Sequence, residues 1–108
     1  MDKYLTFLGF ASKAGKLSFG MDASRTAIKK GTAQLIITAC DVSDKSRKEI
    51  SFHAGEKNIL VLTLEGCNMD ALSHGVGRKG GIIAVNDNGF AQALLKEIGL
   101  TGGNANDK

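Results

Sequence analysis

Leu35-Ile36-Ile37-Thr38-Ala39 is a continuous, largely apolar run with β-branched residues at its centre, with Gly31-Thr32 ahead of it and Asp41-Val42-Ser43 behind. A strand wetted on one face alternates apolar with polar residues. This one does not, so it reads as a strand buried on both faces. Both faces then need helices over them, which makes the chain a layered α/β domain. Ile59-Leu60-Val61-Leu62 and Ile82-Ile83-Ala84-Val85 repeat the pattern, and Leu17-Ser18-Phe19 is a shorter strand upstream.

Between these runs the apolar spacing becomes helical. Tyr4, Leu5, Leu8 and Ala11 recur at three- and four-residue intervals, with Gly15 as the stop. Met21 to Lys30 reads as a helix ending at Gly31, with Ala23, Ala27 and Ile28 as its buried positions. Ser43 is a good N-cap for a helix to about His53, with Gly55 as its stop. Asn68 caps a short helix through Leu72 and His74, and Asp87 or Asn88 caps a last one through Phe90, Ala91, Leu94, Leu95 and Ile98. The expected architecture is a three-layer α-β-α sandwich. Residues 1–99 form one domain, and 100–108 have little to bury and read as a disordered tail.

The chain has 108 residues, 43% hydrophobic and 23% charged, enough to bury a core without disulfides or a structural metal. No stretch is long and apolar enough to span a membrane, and the first residues do not form a secretory apolar segment. A cytoplasmic monomer without a cofactor is expected. Cys40 and Cys67 stand far apart and read as reduced thiols, and His53 and His74 have no ligand partner at helical spacing.

Two glycine motifs invite a nucleotide and fail on context. Gly75-Val76-Gly77-Arg78-Lys79-Gly80 matches G-x-G-x-x-G, but a helix precedes it and a strand follows, the reverse of the dinucleotide fingerprint. It reads as a basic helix-to-strand turn, Val76 to Gly80, that needs glycine for positive φ. Gly9 to Lys16 misses the P-loop by one residue of spacing and has Leu17 where Ser or Thr belongs. No nucleophile elbow is present, and neither histidine has a nucleophile or an orienting carboxylate near it in sequence. No enzyme is expected.

Charge is the remaining signal. The net charge is +3, yet from Lys3 to Gly31 the chain holds Lys3, Lys13, Lys16, Arg25, Lys29 and Lys30 against Asp22. Gly20 sits where the second helix begins, so nothing bulky would keep a phosphate from its first amides. Lys16, Gly20, Arg25, Lys29, Lys30, Arg78 and Lys79 can supply phosphate contacts, which require only donors and positive charge. Without tryptophan and with one tyrosine, a base-stacking platform is not expected.

The order and spacing of several segments resemble the L7Ae and L30e ribosomal protein family. They are Ala14-Gly15-Lys16-Leu17 and Gly20 before a basic helix ending Lys29-Lys30-Gly31, then Ala33 through the Ala39-x-Asp41-x-Ser43 turn. Gly75-x-Gly77-Arg78-Lys79 before a strand and Asn86-Asp87-x-Gly89-Phe90-Ala91 after it look especially like the small bacterial members. The resemblance implies a four-stranded mixed sheet and binding to structured RNA, ribosomal or ribosome-associated and often at a kink-turn. In archaeal and eukaryotic members Gly-x-Asn-Glu-x-x-Lys opens the second helix and reads sheared G·A pairs. Matched residue by residue, Gly20 is kept, while Asp22, Ala23 and Thr26 stand at the Asn, Glu and Lys positions. The loop around Val76 corresponds to the one that shields a flipped-out base, and is basic here. The expected function is structured-RNA binding without strong kink-turn readout. The alternative is a protein-interaction module docking an acidic partner.

Overall fold

A computed structural model describes residues 3–98. The elements run α1 (Lys3–Lys13), β1 (Leu17–Phe19), α2 (Met21–Lys30), β2 (Leu35–Ala39), α3 (Asp44–Glu56), β3 (Val61–Leu64), α4 (Met69–Val76), β4 (Ile82–Val85) and α5 (Asn88–Ile98). The strands form one four-stranded sheet in the order β1-β4-β2-β3. β4 is antiparallel to both β1 and β2, whereas β2 and β3 are parallel, so the sheet is mixed. α1 packs with α4 and α5, and α2 packs with α3, which gives the two helical layers. The tail expected from residue 100 lies outside the described residues.

The central strands bear out the both-faces reading: every residue of β2 and β4 is buried. β3 does not. It covers Val61–Leu64 rather than 59–62, and only Leu64 in it is buried. Leu60 is 50% exposed. β3 is an edge strand with one flank unpaired, and an apolar run cannot distinguish an edge from a centre.

Three local corrections share a cause, which is that a small residue carries little phase information. α3 runs through Gly55 to Glu56 and is capped at Lys57. Asn58 takes the left-handed turn instead, at φ 57°, a conformation asparagine tolerates. On α2 the inward residues are Ser24, Ala27 and Ile28, at i, i+3 and i+4, so Ala23 is exposed. Gly75 and Val76 belong to α4 rather than to the loop. Gly75 is there for packing: a Cβ would lie 2.9 Å from Leu5 Cδ2 on α1. Gly75→Ala is therefore expected to overpack the α1–α4 contact and cost about 1–3 kcal/mol. Denaturant unfolding checks it, and an unchanged midpoint would show that Leu5 moves aside freely.

The caps follow the sequence. Ser43 accepts from the Ser46 amide at 3.1 Å, Asn68 from Ala71 at 2.8 Å, and Asp87 from Phe90 at 2.9 Å.

Candidate nucleic-acid interface

α2 begins differently from the helices that follow it. Its N-cap is Gly20, with φ 92° and ψ 170°, and no side chain caps it. The first-turn amides of Met21, Asp22 and Ala23 have no carbonyl one turn behind them inside the helix. They also carry the positive end of the helix dipole. The turn is anchored from below, because the Gly20 amide donates to the Ile82 carbonyl at 2.8 Å and the Ser24 amide to the Gly20 carbonyl at 3.0 Å.

Three loops meet Gly20 at this end of the sheet. The β2–α3 loop brings Asp41 to Ser43, α4 begins at Met69, and the α4–β4 loop runs Gly77 to Gly81. Backbone bonds tie them together: Ala39 N donates to Gly81 O at 2.8 Å and Cys40 N to Cys67 O at 2.9 Å. The Asp41 carboxylate accepts from the Met69 amide at 2.8 Å. Arg47 donates to the Cys40 carbonyl at 3.3 Å and pairs with Asp44 at 3.4 Å, which braces the β2–α3 loop. Between the loops lies an open cavity of about 730 Å³ lined by Asp41, Met69, His74, Lys79 and Gly81. A second hollow beside it reaches Gly20, Met21 and Ser46, again past Asp41, Met69 and Gly81. Together they form one groove across the end of the sheet.

The residues nominated from sequence divide between two ends of the molecule. Gly20 and Lys79 line the groove, Arg78 stands beside Lys79 in the same loop, and Asp22, Ala23 and Thr26 face solvent on one side of α2. Lys16 does not join them. Its carbonyl accepts from Asn86 at the far end of β1, about 13 Å away at a strand's rise per residue. Lys29 and Lys30 close α2, about 15 Å from its start. Val76 is 5% exposed and belongs to the core.

Both nominated arginines already have partners. Arg25 holds Asp22 at 2.8 Å and Glu49 at 2.9 Å, and so ties α2 to α3. The Arg78 guanidinium lies over the Phe19 ring, 4.6 Å from its centroid, which folds the loop towards Gly20. Arg25→Gln should accordingly cost up to about 1 kcal/mol of stability, small because the pairs are partly exposed. Thermal melting checks this, with Lys29→Gln as the unpaired comparison. Equal melting temperatures would mean that the Glu49 pair contributes nothing.

Sequence reasoning took Asp41 and Ser43 for a turn and a cap, and passed over Met69 and Gly81. Gly81 had a signal only in three dimensions, since a Cβ there would lie 2.6 Å from Met69 Sδ and 2.9 Å from Val42 Cγ2. Among the described residues no group of His, Cys, Asp or Glu could hold a metal ion. No helix among them is long and apolar enough to cross a membrane.

Comparison with solved structures places this arrangement among known folds. A Bacillus halodurans C protein described as of unknown function superposes with a TM-score of 0.85 at 27% identity, covering 91% of this chain and 98% of its own. A 15.5kD RNA binding protein from Giardia lamblia superposes at 0.70 with 13% identity, over 88% of this chain and 81% of its own. No curated protein sequence matches. The model of the ribosomal protein L7Ae/L30e/S12e/Gadd45 family matches residues 2–95, nearly all of the described chain, and the chain belongs to that family.

Proposed function

We propose that this protein is a cytoplasmic, monomeric, non-enzymatic binder of structured RNA, ribosomal or ribosome-associated, and that it engages RNA at the groove beside Gly20. One observation carries the reading. Three later helices are closed by Ser43, Asn68 and Asp87, whereas α2 opens on an uncapped glycine facing a groove with Arg78 and Lys79 on its rim. Unsatisfied amides at a helix start suit a phosphate. Membership of the family and the fold shared with the Giardia RNA binding protein support the same partner.

In this reading the Met21–Ala23 amides and Lys79 hold the backbone, and Arg78 presents its exposed edge from above Phe19. Asp22, Ala23 and Thr26 face the RNA without the Asn, Glu and Lys that would read sheared G·A pairs. Affinity is then mostly electrostatic and tolerant of sequence.

The test is a titration of the protein against a folded internal-loop hairpin and an unstructured strand at two salt concentrations. Tighter binding to the hairpin, weakening steeply as salt rises, is the expected result. Negligible binding to both would remove the RNA reading and leave an acidic protein partner.

A further inference from the structure

The end of the molecule opposite the groove carries a separate collection of cations. Lys13 ends α1 and Lys16 precedes β1, while Lys29 and Lys30 end α2. The fold brings these positions to one rim. The Lys16 carbonyl accepts from Asn86 at 2.8 Å, and the Gln34 amide donates to Val85 at 2.7 Å. The starts of β1 and β2 and the finish of β4 therefore lie side by side across two strand spacings, about 10 Å. All four lysines are exposed, and none makes an ion pair among the described residues.

The rest of the local charge does not cancel them. Lys57 lies at the same end, just past α3. Of the nearby acids, Glu56 faces His53 at 3.9 Å and Asp87 is used as the α5 cap. The groove end is different in kind. There Asp22, Asp41, Asp44 and Asp70 stand among Arg25, Arg47, Arg78 and Lys79, and two of those arginines are held in ion pairs. Lys45 in the first turn of α3 and Lys79 also lack an ion pair among the described residues, so the rim stands out by having few acids beside its cations rather than by holding all the unpaired ones. Lysines closing α1 and α2 also answer the negative ends of those helix dipoles, which accounts for Lys13, Lys29 and Lys30 but not for Lys16 ahead of β1.

We propose that the rim formed by Lys13, Lys16, Lys29 and Lys30 is a second phosphate-binding surface. It takes the backbone of a second RNA helix while the groove holds the first, so that one small domain braces two segments of a folded RNA. The proposal rests on the RNA-binding reading of the groove. Charge complementarity selects the partner. The ammonium groups run from the end of α1 past Lys16 at the sheet to the end of α2, and long flexible cations in such a row match backbone phosphates. Such a surface is indifferent to sequence and sensitive to salt.

The experiment uses the full chain with two labelled RNAs, an internal-loop hairpin for the groove and a plain duplex of 20 base pairs. Energy transfer between them reports bridging. Direct titrations report each RNA alone, for wild type, for a rim variant and for a groove variant. The rim variant combines Lys13→Gln, Lys16→Gln, Lys29→Gln and Lys30→Gln, and the groove variant is Arg78→Gln with Lys79→Gln, both exposed positions. Wild type should bridge the two RNAs. The rim variant should lose bridging, keep hairpin binding within about twofold, and show a duplex salt slope smaller by about three. Melting near the wild-type temperature establishes that the rim variant is folded.

Hairpin binding with bridging absent in wild type, or unchanged in the rim variant, overturns the rim while leaving the groove intact. A groove variant that loses the hairpin but still binds duplex supports the rim as an independent surface. A groove variant that keeps full hairpin affinity, while the rim variant loses both RNAs, refutes the groove reading and with it the two-surface arrangement. Displacement of duplex by polyglutamate at concentrations where RNA cannot compete would assign the rim to an acidic protein and overturn the proposal.

Discussion

Gly20→Ala is expected to lower stability by about 1–3 kcal/mol and to weaken RNA binding at the groove by at least about tenfold. The cost comes from the backbone and not from crowding. At φ 92° and ψ 170° the residue occupies a region that is essentially restricted to glycine. A Cβ at this position would meet nothing within 4 Å. Relief of the strain must rotate the turn, and the turn is fixed to the sheet by the Gly20 amide on Ile82. Either that bond weakens or the first-turn amides of α2 tilt away from the groove.

A control separates these consequences from simple unfolding. Gly31 closes the same helix at φ 81°, again with open space around a Cβ, but at the other end from the groove. Gly31→Ala should cost about 1–2 kcal/mol, as a left-handed residue does, and should leave hairpin affinity unchanged. Both variants would be followed by denaturant unfolding and by titration at a temperature where each is folded. If Gly20→Ala binds the hairpin like wild type, the start of α2 is not in the interface. If the two variants lose affinity equally, lost stability accounts for the effect.

The contrast between Gly20 and Lys16 shows where the sequence was legible and where it stopped. β2 and β4 could be read because their burial is continuous and independent of neighbours. α2 could be read from Gly20 to Gly31 because both ends carry punctuation. The charge concentration from Lys13 to Lys30 was real along the chain but misleading in space. β1 runs towards the groove and α2 runs back, so a single basic stretch delivers Gly20 to one end and both its flanking lysine groups to the other. No composition window shows such a reversal.

The groove itself was hidden for a related reason. Asp41, Met69 and Gly81 come from three connections far apart in sequence, and they meet because the loops leaving β2 and β3 and the loop entering β4 open at the same sheet end. The turn Ala39-x-Asp41-x-Ser43 was visible as a family likeness, yet its role emerges only with the Asp41 bond to the Met69 amide. Arg25 shows the converse. Its charge was legible, but its two carboxylate partners were not, because Glu49 lies 24 residues away on α3.

Asp22→Asn, Ala23→Glu and Thr26→Lys combined should raise affinity for a kink-turn RNA by at least about tenfold, or 1.4 kcal/mol. All three positions are exposed on α2, so the substitutions displace nothing from the core. Asp22 gives up its pair with Arg25, but Arg25 keeps Glu49, and a glutamate at position 23 restores an acid to the first turn. Stability should stay within about half a kcal/mol. The gain would come from an amide donor, a carboxylate acceptor and a cation aimed at base edges, where wild type offers only backbone contacts. The comparison RNA replaces the sheared G·A pairs by Watson–Crick pairs and keeps the phosphate count. Stronger binding to the kink-turn alone is the expected result. An equal gain on both RNAs would trace the effect to the added lysine charge. No gain at all would mean that the groove meets RNA through another face of α2, and the residue-by-residue match to the family motif would then fail at these three positions.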